Sequence, residues 1–253
     1  MKCVIIAAGQ GTRLRSVAPS KPLVRIRGTP IIEHVVRMAR AGGATEFVVA
    51  TGYRAEPLEA VLGALSDRIG CPIEAVRNAS WDRPNGLSVR AAAAHLREPF
   101  VLLMSDHLFD PAILASLVAG RSAEAALTLV VDRDIANPEL DLDDATKVAS
   151  EGGRIVRIGK TIADYDAIDT GIFLATPALI EAIDASLAAG GSGSLSEGVQ
   201  TLADAGRAFV LETGGKYWFD VDDEAALAKA ERSLPDFNDS SAAHPSTSRS
   251  AAR

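Results

Sequence analysis

Residues 2–23, KCVIIAAGQGTRLRSVAPSKPL, decide how the rest of the chain is read. An apolar run from Cys3 to Ala8 leads straight into a loop holding Gly9, Gly11, Thr12 and Arg13, and after a Ser/Pro spacer Lys21 stands just before a proline. Physically this is a buried strand delivering a flexible loop. The two glycines let backbone N–H groups approach phosphate oxygens closely, while Arg13 and Lys21 supply the positive charge that a triphosphate demands. Two other phosphate loops fail on spelling. A dinucleotide fingerprint needs a third glycine where Leu14 stands, and a Walker loop needs a Gly-Lys-Ser/Thr that is absent. An ordinary strand-to-helix turn accounts for the glycines but not for the Arg and Lys that flank them.

Outward from this stretch, apolar runs alternate with amphipathic ones. Strands are expected at EFVVAT (46–51), PIEAVRN (72–78), FVLLMSD (100–106) and AALTLVVD (125–132), with helices between them, one following Thr29-Pro30 and one capped by Asp110 with Pro111 in its first turn. That order predicts a doubly wound α/β fold with a mostly parallel sheet, whose ligands sit beyond the carboxyl ends of the strands. From about residue 133 the pattern changes. ATKVASEGGRIVRIGK (145–160) reads as a β-hairpin turned at Gly152 and Gly153, a small elaboration on the same sheet, which the resemblance given below implies is the acceptor side. Residues 1–234 are expected to form the domain. The serine-rich remainder, 235–253, has too few large apolar residues to offset its ordering entropy and reads as a disordered tail.

Composition narrows the partners. With 253 residues, 47% hydrophobic and 23% charged, the chain can build one sizeable α/β domain. A net charge of −7 argues against a nucleic-acid partner, whereas a small anionic substrate needs only a local basic pocket. The two cysteines, Cys3 and Cys71, lack metal-ligand spacing and do not suggest a disulfide framework. No secretory leader is legible and no run approaches the roughly 18 apolar residues of a membrane span, so a cytoplasmic protein that does not itself cross a membrane is expected.

A loop shaped for a triphosphate points to chemistry at phosphorus, which requires charge neutralisation and in-line placement, to which magnesium held by carboxylates contributes. Asp106 ends a buried strand, and Asp220 and Asp222 alternate along YWFDVD, so both can face one side. Each has a plainer reading: Asp106 as a strand-end acid, Asp222 as the cap of the following helix.

AAGQGTRL followed by SKPL resembles the signature of nucleotidyltransferases that join a nucleoside triphosphate to a sugar or polyol phosphate with release of pyrophosphate. The resemblance implies a Rossmann-like fold, nucleotide contacts from Ala7, Ala8, Gly9, Gly11, Thr12 and Ser105, catalytic charges on Arg13 and Lys21, and Mg2+ on Asp106 and Asp220 with Asp222 as a variable partner. MSDHLFDP (104–111), DATKVASEGGRIVRIGK (144–160) and YDAIDTGIFL (165–174) resemble the CTP:inositol-1-phosphate cytidylyltransferases, which make CDP-inositol. That closer resemblance implies that Asn85, Gly86 and Ser88 contact the nucleotide, that Lys160 meets the acceptor phosphate, and that Asp169 and Thr170 lie by the polyol. It also implies functional coupling to a membrane CDP-alcohol transferase. Lys160 could instead be a solvated strand-end lysine, Asp169 a structural ion-pair partner, and Asn85-Gly86 a turn. His107 reads as structural, because an acceptor phosphate is already anionic and needs no base, and Trp81 and Trp218 read as packing residues. The rival functions are the same chemistry on a sugar 1-phosphate or phosphocholine, an inactive nucleotide-sensing subunit, and a nicotinamide dehydrogenase, which Leu14 disfavours.

Overall fold

The computed structural model describes residues 1–137 and 140–237, and in it the first apolar run is strand β1 (Lys2–Ile6), buried from Cys3 onward. Two short strands follow, β2 (Arg25–Ile26) and β3 (Thr29–Pro30), then helix α1 (Ile31–Ala41), β4 (Glu46–Thr51), α2 (Ala55–Ile69) and β5 (Ile73–Arg77). Next come α3 (Gly86–Ala91), β6 (Phe100–Met104), β7 (His107–Phe109), α4 (Pro111–Ala119) and β8 (Leu127–Asp132). The chain continues through β9 (Lys147–Glu151), β10 (Arg154–Gly159), β11 (Ala167–Ala175), α5 (Ala178–Ala188), α6 (Leu195–Asp204), β12 (Ala208–Glu212), β13 (Trp218–Asp220) and α7 (Glu224–Ser233).

Nine strands form one sheet in the order β5-β4-β1-β6-β11-β8-β12-β10-β9. Its first four strands pair in parallel, as the alternation of apolar runs and helices predicts. Parallel strands are covered on both faces, and β1 shows it: Cys3 and Ile5 enter one core, Val4 and Ile6 the other. Beyond β6 the sheet is mixed. β11 runs antiparallel to both β6 and β8, while β8 and β12 are again parallel, so β10 and β11 are the two strands that run against the rest. The expected hairpin is β9–β10, with Gly152 and Gly153 at its tip, and Ala167 and Ile168 of β11 pair with its first strand.

Asp110 caps α4 by accepting from the Ala112 N–H at 2.8 Å, as expected. Thr29 pairs with Ile26 in the β2–β3 turn, and Pro30 takes the N-cap place of α1. Just past the expected domain boundary at residue 234, Asp236 pairs with Arg27 at 3.3 Å, and the Phe237 ring lies 6.2 Å from that of Tyr217. The rest of the expected tail, 238–253, lies outside the described residues.

Candidate active site

The site is built on a two-stranded ribbon just past the end of β6. β7 and β13 pair antiparallel, setting Asp220 opposite His107, and the Val221 N–H donates to the Asp106 carbonyl at 3.1 Å. Residues far apart in the chain thus meet within a few ångströms. His107 Nε2 is 3.3 Å from Asp220 Oδ2 and 3.8 Å from Asp106 Oδ1. Its Nδ1 donates to the Thr170 carbonyl at 2.7 Å. Burial works against a charge on this imidazole, but Asp220 overrides it and pushes the group up to about 10. The approach depends on a glycine. Gly171 adopts φ +73°, where β11 slips its register against β8, and a Cβ there would lie 2.1 Å from His107 Nδ1.

Lys21 reaches the same ribbon from the first loop. Its Nζ lies 2.5 Å from Asp106 Oδ2, pairs closely with Asp222 Oδ1, and sits 3.7 Å from Asp220 Oδ1. Burial opposes the charge, yet the three carboxylates raise the ammonium above its ordinary value. Gly11 makes this possible: at φ +55° it passes so close that a Cβ would stand 2.4 Å from Lys21 Cβ. At least one loop glycine therefore serves to place a lysine. Arg13 Nη2 is 3.0 Å from Asp222 Oδ2 and 2.6 Å from Asp144 Oδ2, and the other oxygen of Asp144 takes Lys160.

A cavity of about 750 Å³ opens over these groups, lined by Arg13, Asn85, Asp106, Lys160, Asp169, Asp220 and Asp222. The two acids of the ribbon are not equivalent. Despite burial, Asp106 is held below the usual carboxylate range by Lys21, whereas burial pushes Asp220 above it. The donor atoms of Asp106, His107 and Asp220 lie within 4.8 Å of one another, and Asp220 Oδ1 is buried without a hydrogen-bond partner.

The remaining expected residues are placed as follows. Ala7 and Ala8 are buried beneath the loop, Gly9 and Thr12 are exposed on it, and Ser105 is buried with its N–H donating to the Ile6 carbonyl at 3.1 Å. Asn85 Oδ1 accepts from the Leu195 N–H at 3.0 Å, and Gly86 packs against the backbone of Gly193 and Ser194, so both dock α3 onto the start of α6. The Ser88 hydroxyl accepts from Asn78 Nδ2 at 3.1 Å in a buried pair. Thr170, expected beside the polyol, is fully buried and donates its hydroxyl to the Val130 carbonyl at 2.8 Å. Successive strand residues face opposite sides, so only Asp169 of this pair reaches the cavity. Asp222, the alternative helix cap, is instead held by Lys21 and Arg13, while Asp223 caps α7.

Two residues were missed. His107 was expected to be merely structural, although its place beside Asp106 was a signal, and Asp144 lies within the DATKV run without having been singled out. Trp218 packs against the core as expected, and it also lines the cavity and donates its indole N–H to Asp132 Oδ2 at 2.5 Å.

Asp169 Oδ1 accepts from the Gly171 N–H at 2.7 Å. Burial pushes this carboxyl from its ordinary 3.8 up to about 6, against the pull of Gly171 and His107. A folded-state value above the unfolded one favours the protonated form, so the stabilising contribution is full below about pH 3.8 and is lost as pH rises through about 6. Asp169→Asn is therefore expected to gain stability on the order of 2 kcal/mol at about pH 7.5, less than the full shift implies because the side chain is partly open to the cavity. At about pH 4 it should nearly match the parent chain. Urea denaturation at both pH values checks this, and an equal difference at the two would show that Asp169 titrates normally.

Residues 3–197 match the model of the MobA-like NTP transferase domain. A bifunctional IPC transferase and DIPP synthase of Rubrobacter xylanophilus is 37% identical over 232 residues, covering 90% of this chain and 50% of that protein. The corresponding protein of Archaeoglobus fulgidus is 32% identical over 235 residues, covering 92% of this chain and 44% of its own. The chain thus spans about half the length of these curated relatives. The solved structure of the inositol-1-phosphate CTP transferase from T. maritima superposes with a TM-score of 0.75 at 28% identity, covering 91% of this chain and 96% of that one. Among the described residues, no helix is long and apolar enough to cross a membrane.

Proposed function

Because this chain belongs to the MobA-like NTP transferase family, we propose that it transfers a cytidylyl group from CTP to inositol 1-phosphate, giving CDP-inositol and pyrophosphate. The observation that carries the reading is the composition of one cavity wall. Arg13 comes from the first-strand loop and Lys160 from the hairpin, and both face the cavity that holds the acids Asp106 and Asp220. The likeness to the T. maritima enzyme along nearly the whole chain supports the choice of substrates.

On this reading the loop from Gly9 to Arg13 receives the triphosphate, and Arg13 and Lys21 offset the charge that gathers on the departing pyrophosphate. Lys160 binds the acceptor phosphate. An oxygen of that phosphate attacks the α-phosphorus of CTP, the bond from the α-phosphorus to the bridging oxygen breaks, and pyrophosphate leaves with the electron pair. The attacking oxygen is already anionic, so no protein base is required. His107, donating to Thr170 through Nδ1 and facing Asp220 through Nε2, orients that acid.

Asp106 and Asp220 fit a magnesium ion, since both offer oxygen donors and Asp220 Oδ1 is buried without a hydrogen bond. When bound, Mg2+ would neutralise and align the phosphate oxygens. Asp222 is a weaker ligand candidate, because Arg13 and Lys21 already engage its two oxygens. The product would then pass to a membrane CDP-alcohol transferase.

Pyrophosphate release measured across the four nucleoside triphosphates and a panel of phosphomonoesters tests the reading. CTP with inositol 1-phosphate is expected to give the highest kcat/KM. A preference for a sugar 1-phosphate or phosphocholine would replace the acceptor, and absence of release with any pair would remove the enzymatic reading. Within the same assay, Lys160→Ala should raise the KM for inositol 1-phosphate roughly ten-fold to a hundred-fold while moving that for CTP much less, as expected for loss of one charged hydrogen bond. An equal rise for both substrates would take Lys160 out of the acceptor site.

A further inference from the structure

Asp144 stands where two substrate anions would meet. One of its oxygens takes Arg13 Nη2 at 2.6 Å, and the other takes Lys160. A single carboxylate thus ties a cation of the nucleotide loop to a cation of the hairpin. Its backbone is set for this, because the Asp144 N–H donates to the Asp141 carbonyl at 3.2 Å and the Ala145 N–H donates to the same oxygen at 2.8 Å. Side-chain exposure is 36% for Asp144, 45% for Arg13 and 57% for Lys160, so the arrangement remains open to solvent and to ligands. Lys160 holds the Asp144 carboxyl below its ordinary range, with Arg13 adding to the effect, so the group is an anion at neutral pH.

We propose that Asp144 is a stand-in anion: in the substrate-free protein its carboxylate occupies the two cations that the phosphates must claim, and substrates bind by displacing it. The proposal rests on the assignment of Arg13 to the nucleotide and Lys160 to the acceptor. A phosphate carries more charge and more acceptor oxygens than a carboxylate, so it wins the exchange. Until then, Asp144 offsets the repulsion between two like charges that face one cavity, a task that Asp222 shares on the Arg13 side. Displacement has a second consequence. A ligand that takes Arg13 also loosens the carboxylate from Lys160, so the two anions assist one another to the extent that they share this competitor, and the assistance is reciprocal.

Calorimetric titration with inorganic pyrophosphate tests the idea on the full chain, since that probe needs the cations but neither the base nor the acceptor. Partly exposed ion pairs are weak competitors, so Asp144→Asn is expected to bind pyrophosphate only about ten-fold more tightly than the parent chain. Asp144→Ala should behave alike if the asparagine variant folds poorly, with thermal melts identifying the folded one. Inositol 1-phosphate titrated with and without saturating pyrophosphate should show a more favourable coupling in the parent chain than in the variant. Unchanged or weaker pyrophosphate binding in both variants would overturn the stand-in role. The substrate reading fails separately: no turnover of CTP with inositol 1-phosphate, together with tighter pyrophosphate binding in the variants, would discard the substrates and keep the stand-in.

Discussion

Replacing Asp106 with alanine is expected to lower turnover about 100-fold or more, equivalent to about 2.7 kcal/mol of transition-state stabilisation. The fold should survive. The link between Asp106 and the ribbon is made by its main-chain carbonyl, which accepts from the Val221 N–H at 3.1 Å and is untouched by the substitution. What the variant loses is one of the two carboxylates suited to magnesium and the partner that Lys21 meets at 2.5 Å. Pyrophosphate release measured against magnesium concentration checks both parts. Near-normal turnover that still requires magnesium would show the acid to be misassigned.

Lys21→Ala should have a comparable effect on turnover and a larger one on stability. Its ammonium, with 10% of the side chain exposed, lies among Asp106, Asp220 and Asp222, and no other lysine touches those three acids among the described residues. Removing one member of a buried charge cluster typically costs about 3–5 kcal/mol, because the partners are left facing one another. The low end is expected here, since Asp220 and Asp222 are partly exposed and Arg13 still meets Asp222 at 3.0 Å. A divalent cation can take over part of that role. Magnesium should therefore stabilise the variant more than it stabilises the parent chain, which urea denaturation with and without magnesium would show. Equal stabilisation of the two would mean that Lys21 and the metal do not share these acids.

His107 shows how an accurate chemical premise led to an incomplete reading. An anionic phosphate needs no general base, and on that ground a histidine beside Asp106 reads as structural. The ribbon register gives it another task, bracing Asp220 from one nitrogen while the other is anchored to Thr170. Thr170 stands apart from the cavity. Motif resemblance carried it to the polyol along with Asp169, but strand alternation turns its hydroxyl to Val130.

What the sequence alone determined is what short-range physics writes into contiguous residues. The apolar run Cys3–Ala8, the glycines after it and the alternation of strand and helix signals dictate a parallel α/β half with a charged loop at the end of its first strand. Gly152-Gly153 dictates the hairpin, and the spelling around Arg13 and Lys21 separates this loop from the dinucleotide and Walker loops. The tertiary structure alone decided which charges meet. Asp106 and Asp220 are joined by pairing between β7 and β13, Lys21 is drawn among them by the absence of a Cβ at Gly11, and Asp144 bridges Arg13 and Lys160 across two separate segments. Such contacts depend on the register of strands distant in the chain and on the reach of long side chains. Neither leaves a periodic trace in the residues themselves, so the composition of the site became legible only once distant strands had paired.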